Sequence, residues 1–401
     1  MKEIKITDIS GVKVGQVEDI QAATGCSVVI VEKGATAGVD VRGGGPATRE
    51  TDLLNPINMV QQIHAVMLSG GSAFGLDAAS GAMQYLEEHD VGFDMSVARV
   101  PIVCGASLFD LSVGNPHVRP DKHMGYLACK DSENNEIKEG NYGAGCGASV
   151  GKLLGFDHAM KGGIGTYGLQ VGAIQVAGLV AVNACGNVVD HESHKMLAGI
   201  YDKKTQQVIS TKDVLLKQMD QIRKLPDGNT TIGCIVTNVK LNKAQCTKLA
   251  GICHDGYARS IQPVHTMSDG DTIFVLSTNE VEGMVDAVGV LASEVTSMCI
   301  KRAILKAKSA YGLKAFSDLK NRWFCHIILS FTYFDIKRDR KTFIKTFEMV
   351  NTKKTLHLLW ATVGGNDEVK KDTVHDFNGF IFSDWNHPCC HTTWLYSNWT
   401  T

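Results

Sequence analysis

Short apolar runs alternate with glycine-containing turns along residues 1–319, and such runs are typical of buried β-strands. The clearest are CSVVIVEKG (26–34), HAVMLSGG (64–71), AGLVAVNACG (177–186), TIGCIVTNV (231–239) and DTIFVLST (271–278). Apolar or small residues recur at i, i+3, i+4 and i+7, as in amphipathic helices, in residues 75–89, 243–260 and 281–309. This mixture predicts an α+β fold in which helices cover the faces of sheets. Strict βαβ alternation is missing, so a doubly wound sheet is not predicted.

The composition changes sharply near Leu319. All five tryptophans and eight of the fourteen phenylalanines follow this residue, but only three of the forty-one glycines do. A change of this kind predicts one large domain over residues 1–319 and an extension of unknown structure over residues 320–401.

The charge and the cysteines narrow the class of protein. The 401 residues are 44% hydrophobic and carry a formal net charge of −2, as in an ordinary globular protein. Because there is no basic excess, neither a nucleic-acid partner nor an anionic membrane is predicted. The N-terminus lacks the apolar segment of a secretory signal, and the twelve cysteines are scattered. We therefore expect a cytoplasmic protein with reduced thiols.

Four short motifs are weak on inspection. Residues 163–168 fit GxGxxG, but a strand-like run follows them instead of a helix. His191-Glu192-Ser193-His194 is one residue shorter than the zinc-protease motif, and Ser72 lacks the second glycine of a nucleophile elbow. The histidines and adjacent cysteines of residues 387–391 lack zinc-finger spacing. No metal or cofactor is predicted.

The stretch GNTTIGCIVT (228–237) has a more specific chemistry. A threonine hydroxyl needs a neighbouring base, and an N-terminal threonine can use its own α-amine, which titrates near neutrality. Cleavage between Asn229 and Thr230 would create that N-terminus, and Gly228 permits the unusual dihedrals of a strained peptide. The competing interpretation is a turn that leads into a strand at Thr231.

Seven stretches in order along residues 5–319 resemble a family of self-processing peptidases. They are GVDVRGGGPATRETDLL (38–54), LSGGSAFGLDAASG (68–81), GAGCGASVGK (143–152), KGGIGT (161–166), LVAVNACGNVVD (179–190), GNTTIGCIVTNVKLNKAQ (228–245) and HTMSDGDTIFVLST (265–278). The family is that of D-aminopeptidase/L-aminopeptidase D-esterase, with β-peptidyl aminopeptidases and nylon-oligomer endo-amidases among its members. The resemblance implies an αββα sandwich of the N-terminal-nucleophile-like type, autocleaved into chains 1–229 and 230 onward.

The resemblance also implies roles for single residues. Thr230 matches the nucleophile, and Asn229 matches the residue whose peptide bond is cut. Asn183 matches an oxyanion donor, and Lys152 matches a site lysine of the nylon-oligomer branch, either of which could stabilise negative charge. The last residues are Asp269 and Asp271, which match groups that orient the nucleophile's α-amine, and Phe109, which replaces a substrate-pocket tyrosine of some members.

The function so implied is hydrolysis of amide bonds in small peptides or amides through an acyl-enzyme on Thr230. The resemblance further implies a homo-oligomer of processed protomers. Two alternatives stay open: an acyl transferase similar to ornithine acetyltransferase, which would pass the acyl group to an amine, and an unprocessed binding protein with an inert site. The sequence does not identify the substrate, because specificity depends on the shape of the pocket.

Overall fold

The computed structural model describes residues 1–221, 225–226, 228–323, 329–336, 342–352, 355–363 and 369–372. The chain forms two compact units, Met1–Lys320 and Asn321–Thr401. None of the helices in the described ranges is both long and apolar enough to cross a membrane.

Nineteen strands are described in the first unit. They are β1 (Lys2–Glu3), β2 (Val12–Asp19), β3 (Thr24–Val41), β4 (Thr48–Arg49), β5 (Ile63–Ser69), β6 (Phe93–Asp94), β7 (Arg99–Val100), β8 (Val103–Ser107), β9 (Ser149–Val150), β10 (Met160–Lys161), β11 (Gly163–Val171), β12 (Ile174–Asn183), β13 (Asn187–Val189), β14 (Met196–Ala198), β15 (Ile200–Asp202), β16 (Gln207–Ile209), β17 (Thr230–Val239), β18 (Ile261–Gln262) and β19 (Thr272–Val281). The five predicted runs lie in β3, β5, β12, β17 and β19, as expected.

Six helices are described. They are α1 (Ala78–Glu88), α2 (Lys122–Asp131), α3 (Thr211–Lys217), α4 (Lys243–Ser260), α5 (Val285–Lys306) and, across the unit boundary, α6 (Phe316–Trp323), with short 3-10 turns at Ile6–Asp8, Asp52–Leu54, Ser72–Asp77, Gly143–Gly145 and Phe156–His158. Three of them, α1, α4 and α5, lie in the predicted segments with small shifts. α4 has the predicted bounds because Asn242 and Gln245 form a capping box at its start. α1 begins later than predicted because Ser72–Asp77 form a 3-10 helix. α5 also begins later, since β19 continues to Val281.

The main strands form one hydrogen-bonded series in the order β1-β11-β12-β17-β19-β3-β5-β8-β4, with β2 also paired to β3. β3 bends this series into two layers. Its second half pairs with β19, from Thr36 opposite Ser277 to Val41 opposite Thr272. Its first half pairs with β2 and β5. We call β1, β11, β12, β17 and β19 sheet I, and β2, β5, β8 and β4 sheet II.

Three hydrophobic clusters lie between four layers, which are a layer of helices, sheet I, sheet II and a second layer of helices. One lies between the sheets and contains Ile232, Cys234 and Val236 of β17. Ile235 of the same strand belongs to a second cluster, which joins the outer face of sheet I to α4 and α5. The third joins β3, β5 and β8 to α1 and α2. Successive residues of β17 therefore point to opposite faces, both buried, which explains its unbroken apolar run. The predicted αββα sandwich is confirmed.

In the second unit, four strands form an antiparallel meander. They are β20 (Leu329–Ile336), β21 (Thr342–Thr352), β22 (Thr355–Val363) and β23 (Val369–Asp372), paired in that order. Their register runs from Leu329 opposite Met349, through Thr352 opposite Thr355, to Val363 opposite Val369.

Candidate active site

Thr230 is the first residue of β17, an interior strand of sheet I. Its antiparallel partner on the neighbouring strand is Asn183, the last residue of β12. Both residues are buried, with exposed fractions of 4% for Thr230 and 0% for Asn183. The strand register therefore brings together two of the residues that the sequence singled out.

The peptide before Thr230 is held from two sides. The Thr230 hydroxyl donates a hydrogen bond to the Asn229 carbonyl oxygen, and the main-chain N–H of Gly270 donates to the same oxygen at 2.9 Å. Gly228 has a φ of +89°, and a Cβ atom there would lie 2.4 Å from Cδ1 of the Phe109 ring. The expectation that Gly228 adopts a conformation favoured by glycine is confirmed.

Lys152 and Asn183 converge on the carbonyl of Gly228. Lys152 Nζ donates to this oxygen at 3.0 Å and Asn183 Nδ2 donates to it at 3.2 Å. Lys152 also donates to the main-chain and side-chain oxygens of Asn183, each at 2.9 Å. Asn183 Nδ2 donates in addition to the main-chain oxygen of Phe109 at 2.9 Å, which fixes the half-buried Phe109 beside Gly228. The pair supplies a cation and an amide donor one residue before the proposed cleavage point.

Burial changes the electrostatics of this group. Desolvation lowers the pKa of Lys152 to about 7. The attraction of nearby acidic groups, including Asp269, opposes this shift. Desolvation raises the pKa of Asp269 to about 6, and repulsion by Asp271 adds to that rise. The site therefore holds two ionisable groups that change charge close to neutral pH, as is typical of catalytic centres.

The two aspartates contact the loop and strand around Thr230, and neither hydrogen-bonds Thr230 itself in the intact chain that the structure describes. Asp271 Oδ1 accepts from the main-chain N–H of Thr231 at 2.7 Å, and Asp269 Oδ2 accepts from that of Thr266 at 2.7 Å. Asn229 and Asp269 form an isolated parallel bridge. The proximity of Asp269 and Asp271 to Thr230 fits the idea that they orient the nucleophile. In the intact chain, however, both aspartates accept hydrogen bonds from neighbouring main-chain N–H groups.

A family model decides the identity of the chain, because residues 5–316 match that of peptidase family S58. The chain belongs to peptidase family S58. As a member of this family it is a hydrolase of peptide or amide bonds, as the sequence predicts.

Two named relatives support this. An uncharacterized aminopeptidase of Mycobacterium leprae is 38% identical over 347 residues, covering 78% of this chain and 93% of that protein. A 6-aminohexanoate-oligomer endohydrolase of Paenarthrobacter ureafaciens is 31% identical over 288 residues, covering 70% of this chain and 77% of the relative. Both names describe hydrolases, so the acyl-transferase and binding-protein alternatives are not favoured.

Solved structures share the fold of this chain. The L-aminopeptidase D-Ala-esterase/amidase from Ochrobactrum anthropi, described as a variant of the Ntn hydrolase fold, superposes with a TM-score of 0.58. It is 16% identical and covers 80% of this chain and 94% of its own. A β-aminopeptidase from Burkholderia gives a TM-score of 0.55 at 19% identity, covering 79% and 92% of the two chains.

Gly270 and Ser149 contact the candidate site, and sequence reasoning missed both. Gly270 contributes its main-chain N–H and, through the absence of a side chain, a close approach to Thr230, and a glycine between two aspartates does not reveal either contribution in the sequence. Ser149 donates its N–H and hydroxyl to Asn183 Oδ1 at 3.0 and 3.3 Å. Ser149 lies three residues before Lys152, but only the folded chain brings it to Asn183.

The motifs that the sequence analysis set aside lie in ordinary structure. Residues 163–168 form part of β11, and Ser72 begins a 3-10 turn before α1. His191 and Glu192 converge with Glu294 as three possible metal ligands. Lys301 Nζ, however, lies 3.1 Å from Glu192 Oε2, so this cluster already contains a cation. Residues 387–391 lie outside the described part of the chain.

Proposed function

We propose that this S58 hydrolase cuts its own chain between Asn229 and Thr230 and then uses Thr230 as the nucleophile of an aminopeptidase or amidase. The observation that carries the proposal is the environment of one carbonyl group. The Asn229 oxygen accepts from the Thr230 hydroxyl and from the Gly270 N–H, so nucleophile and oxyanion donor meet at the same peptide.

Self-cleavage would proceed by an N-to-O acyl shift. The Thr230 oxygen attacks the Asn229 carbonyl carbon, and the Gly270 N–H stabilises the negative charge that develops on the Asn229 oxygen. The C–N bond then breaks, the nitrogen takes up the proton lost by the hydroxyl, and an ester joins Asn229 to Thr230. Water hydrolyses this ester. The products are a carboxylate on Asn229, which ends a chain of residues 1–229, and a free α-amine on Thr230, which begins the second chain.

The same groups support amide hydrolysis by the processed enzyme. The Thr230 α-amine takes the hydroxyl proton, and the oxygen attacks the carbonyl of a substrate amide. Asn183 and Lys152, which hold the Gly228 oxygen in the intact chain, are the donors placed to stabilise a substrate oxyanion there. The amine product leaves with a proton, and water releases the acyl group from Thr230. Asp269 and Asp271 keep the loop and the strand beside the new amine in place.

The substrate class, the assembly and the compartment complete the proposal. Relatives named as aminopeptidases and as a 6-aminohexanoate-oligomer endohydrolase favour small peptides or linear amides, with Phe109 lining the pocket. The nine cysteines of the described residues are all free and buried, which fits a reducing cytoplasm. Assembly of processed protomers into a homo-oligomer rests on the family resemblance alone.

Intact-mass analysis with N-terminal sequencing tests the proposal. The freshly purified wild-type protein should yield a fragment that begins at Thr230. Thr230→Ser should still be cut, whereas Thr230→Ala and the nearly isosteric Thr230→Val should stay intact and lack amidase activity. A wild-type chain that stays whole while folded, or a Thr230→Val variant with activity comparable to wild type, would refute the assignment.

A further inference from the structure

We propose that His265 is a positioning residue for self-cleavage, which holds Asp271 and the loop 265–271 against the Thr230 strand. The proposal rests on the proposed function, because it assigns a role in the same reaction. His265 was not among the residues that sequence reasoning selected.

The contacts of Asp271 carry the inference. Its Oδ2 accepts two hydrogen bonds from His265, one from the main-chain N–H at 3.1 Å and one from the ring Nδ1 at 2.9 Å. Its Oδ1 accepts from the N–H of Thr231 at 2.7 Å. The carboxylate is 2% exposed, so these three donors replace the water that it has lost. One side chain thus ties the start of the loop to the nucleophile strand.

The loop that His265 closes also supplies the oxyanion donor. Gly270, the residue before Asp271, donates its N–H to the Asn229 oxygen at 2.9 Å. A Cβ atom on Gly270 would lie 2.8 Å from the Thr230 hydroxyl oxygen, so the loop packs directly on the nucleophile. A small displacement of Asp271 would therefore move both the donor and the strand that carries Thr230.

The backbone of His265 is itself unusual. Its φ is +56°, in the left-handed region that residues with a Cβ atom seldom adopt. Such conformations persist where surrounding contacts hold them, and they concentrate at functional sites. Two hydrogen bonds to Asp271 are among the contacts that surround this backbone.

Only one edge of the ring makes a polar contact among the described residues. Nε2 of His265 is buried without a hydrogen-bond partner there. The ring packs instead against His254, with centroids 4.7 Å apart, and against Tyr257, with centroids 6.1 Å apart. The Nδ1 edge is therefore the one that acts on Asp271, and this edge can be tested separately from the bulk of the ring.

The experiment compares the half-time of self-cleavage, followed by intact mass, in full-length His265→Asn, His265→Gln and His265→Ala. Asparagine places an N–H close to the Nδ1 position and tolerates a positive φ, whereas glutamine places one near Nε2. We expect His265→Ala and His265→Gln to slow cleavage roughly ten- to hundredfold, the range for losing a hydrogen bond to a charged group. His265→Asn should stay within about threefold of wild type, because that bond is kept.

His254→Gln is the matched control. His254 packs in the same ring cluster, but its Nε2 lies 3.0 Å from the main-chain oxygen of Asp40 and makes no hydrogen bond to Asp271. It should cleave at the wild-type rate. Equal rates for His265→Ala and wild type, or an asparagine variant as slow as the glutamine variant, would overturn the proposal. If His265→Ala does not fold, the asparagine and glutamine variants decide. A wild-type chain that never cleaves would overturn the proposed function and this role together.

Discussion

Gly270 donates its main-chain N–H to the carbonyl oxygen of Asn229 at 2.9 Å, across the peptide that joins Asn229 to Thr230. The contact depends on close approach, because there is no side chain at position 270 to separate the loop from the Thr230 hydroxyl. The arrangement exists in the uncut chain, so folding alone would prepare the proposed reaction.

Gly270→Ala should therefore slow self-cleavage about tenfold or more, because the added methyl group pushes the N–H donor away from the Asn229 oxygen. The fraction of intact chain against time, from gel densitometry or mass spectrometry, measures the effect. Gly45→Ala is the matched control, since its Cβ would meet nothing closer than 3.8 Å while facing the same loop. If both variants cleave equally fast, the Gly270 contact has no part in the reaction.

Gly228→Ala should slow cleavage by about tenfold or more, because its methyl group would lie 2.4 Å from the Phe109 ring and displace the residue before the cut. Gly155→Ala separates this contact from backbone strain. Gly155 has a φ of +92°, close to that of Gly228, and open space around a Cβ atom. Both variants should lose stability from the positive φ, measured by urea unfolding, but only Gly228→Ala should lose cleavage. A similar loss of cleavage in both variants would mean that the positive φ alone causes the effect.

The burial of Lys161 should make the free energy of unfolding depend on pH. It is fully buried, donates to the main-chain oxygens of Gly145, Ala148 and Gly162, and burial lowers its pKa from 10.5 to about 7. Between these two values the unfolded chain binds the proton and the folded chain releases it. The free energy of unfolding therefore rises with pH across this window, by up to about 1.4 kcal/mol per pH unit.

Urea unfolding at pH 7.5, 8.0 and 8.5 checks this in a Thr230→Val background, which keeps the chain whole. Lys152, whose pKa is also lowered to about 7, contributes a slope of the same sign. Lys161→Met should remove the contribution of Lys161 and reduce the dependence on pH. The titration of buried thiols is common to both proteins and cancels in the comparison. Parallel curves for the two proteins would show that Lys161 keeps its proton on folding.

Glu139 should stabilise the first unit more than an exposed acid does. It accepts from Arg302 Nε at 2.7 Å and Nη2 at 2.8 Å, and from the N–H of Thr166 at 3.1 Å. Glu139→Gln should lower the free energy of unfolding by about 1–3 kcal/mol, as for charge-assisted hydrogen bonds. Glu32→Gln, which breaks an exposed pair with Lys13, should cost at most about 1 kcal/mol. Equal losses in urea unfolding would mean that burial adds nothing to the Glu139 pair.

The sequence predicted those parts of the fold that local chemistry determines. The runs that became β5, β12, β17 and β19 are apolar on both faces, and α4 carries its capping residues beside it, so each could be recognised alone. The order of the strands could not, because β3 pairs with β19 through one half and with β5 through the other. Such pairings join residues far apart in sequence and leave no periodic signal.

The residues of the site also fall into two groups, those that the sequence reveals and those that only the folded chain reveals. Thr230, Asn183 and Lys152 were selected because hydroxyl, amide and ammonium groups have recognisable chemistry in a resembling motif. Gly270 was missed because it acts through its backbone. His265 was missed because its importance depends on a left-handed φ and on the direction of one ring nitrogen, which the residue type does not reveal.

The position of β17 determines what a cut before Thr230 would do to the molecule. β17 pairs with β12 on one side and β19 on the other, and β19 pairs in turn with β3. The second piece would therefore keep β17 and β19 inside the sheet. It would stay hydrogen-bonded to the first piece on both sides, through β12 and through β3. The two pieces could separate only if these strand pairings were broken. A cleaved molecule should therefore migrate as one particle until it is denatured. Pieces made separately should regain the fold only by folding together.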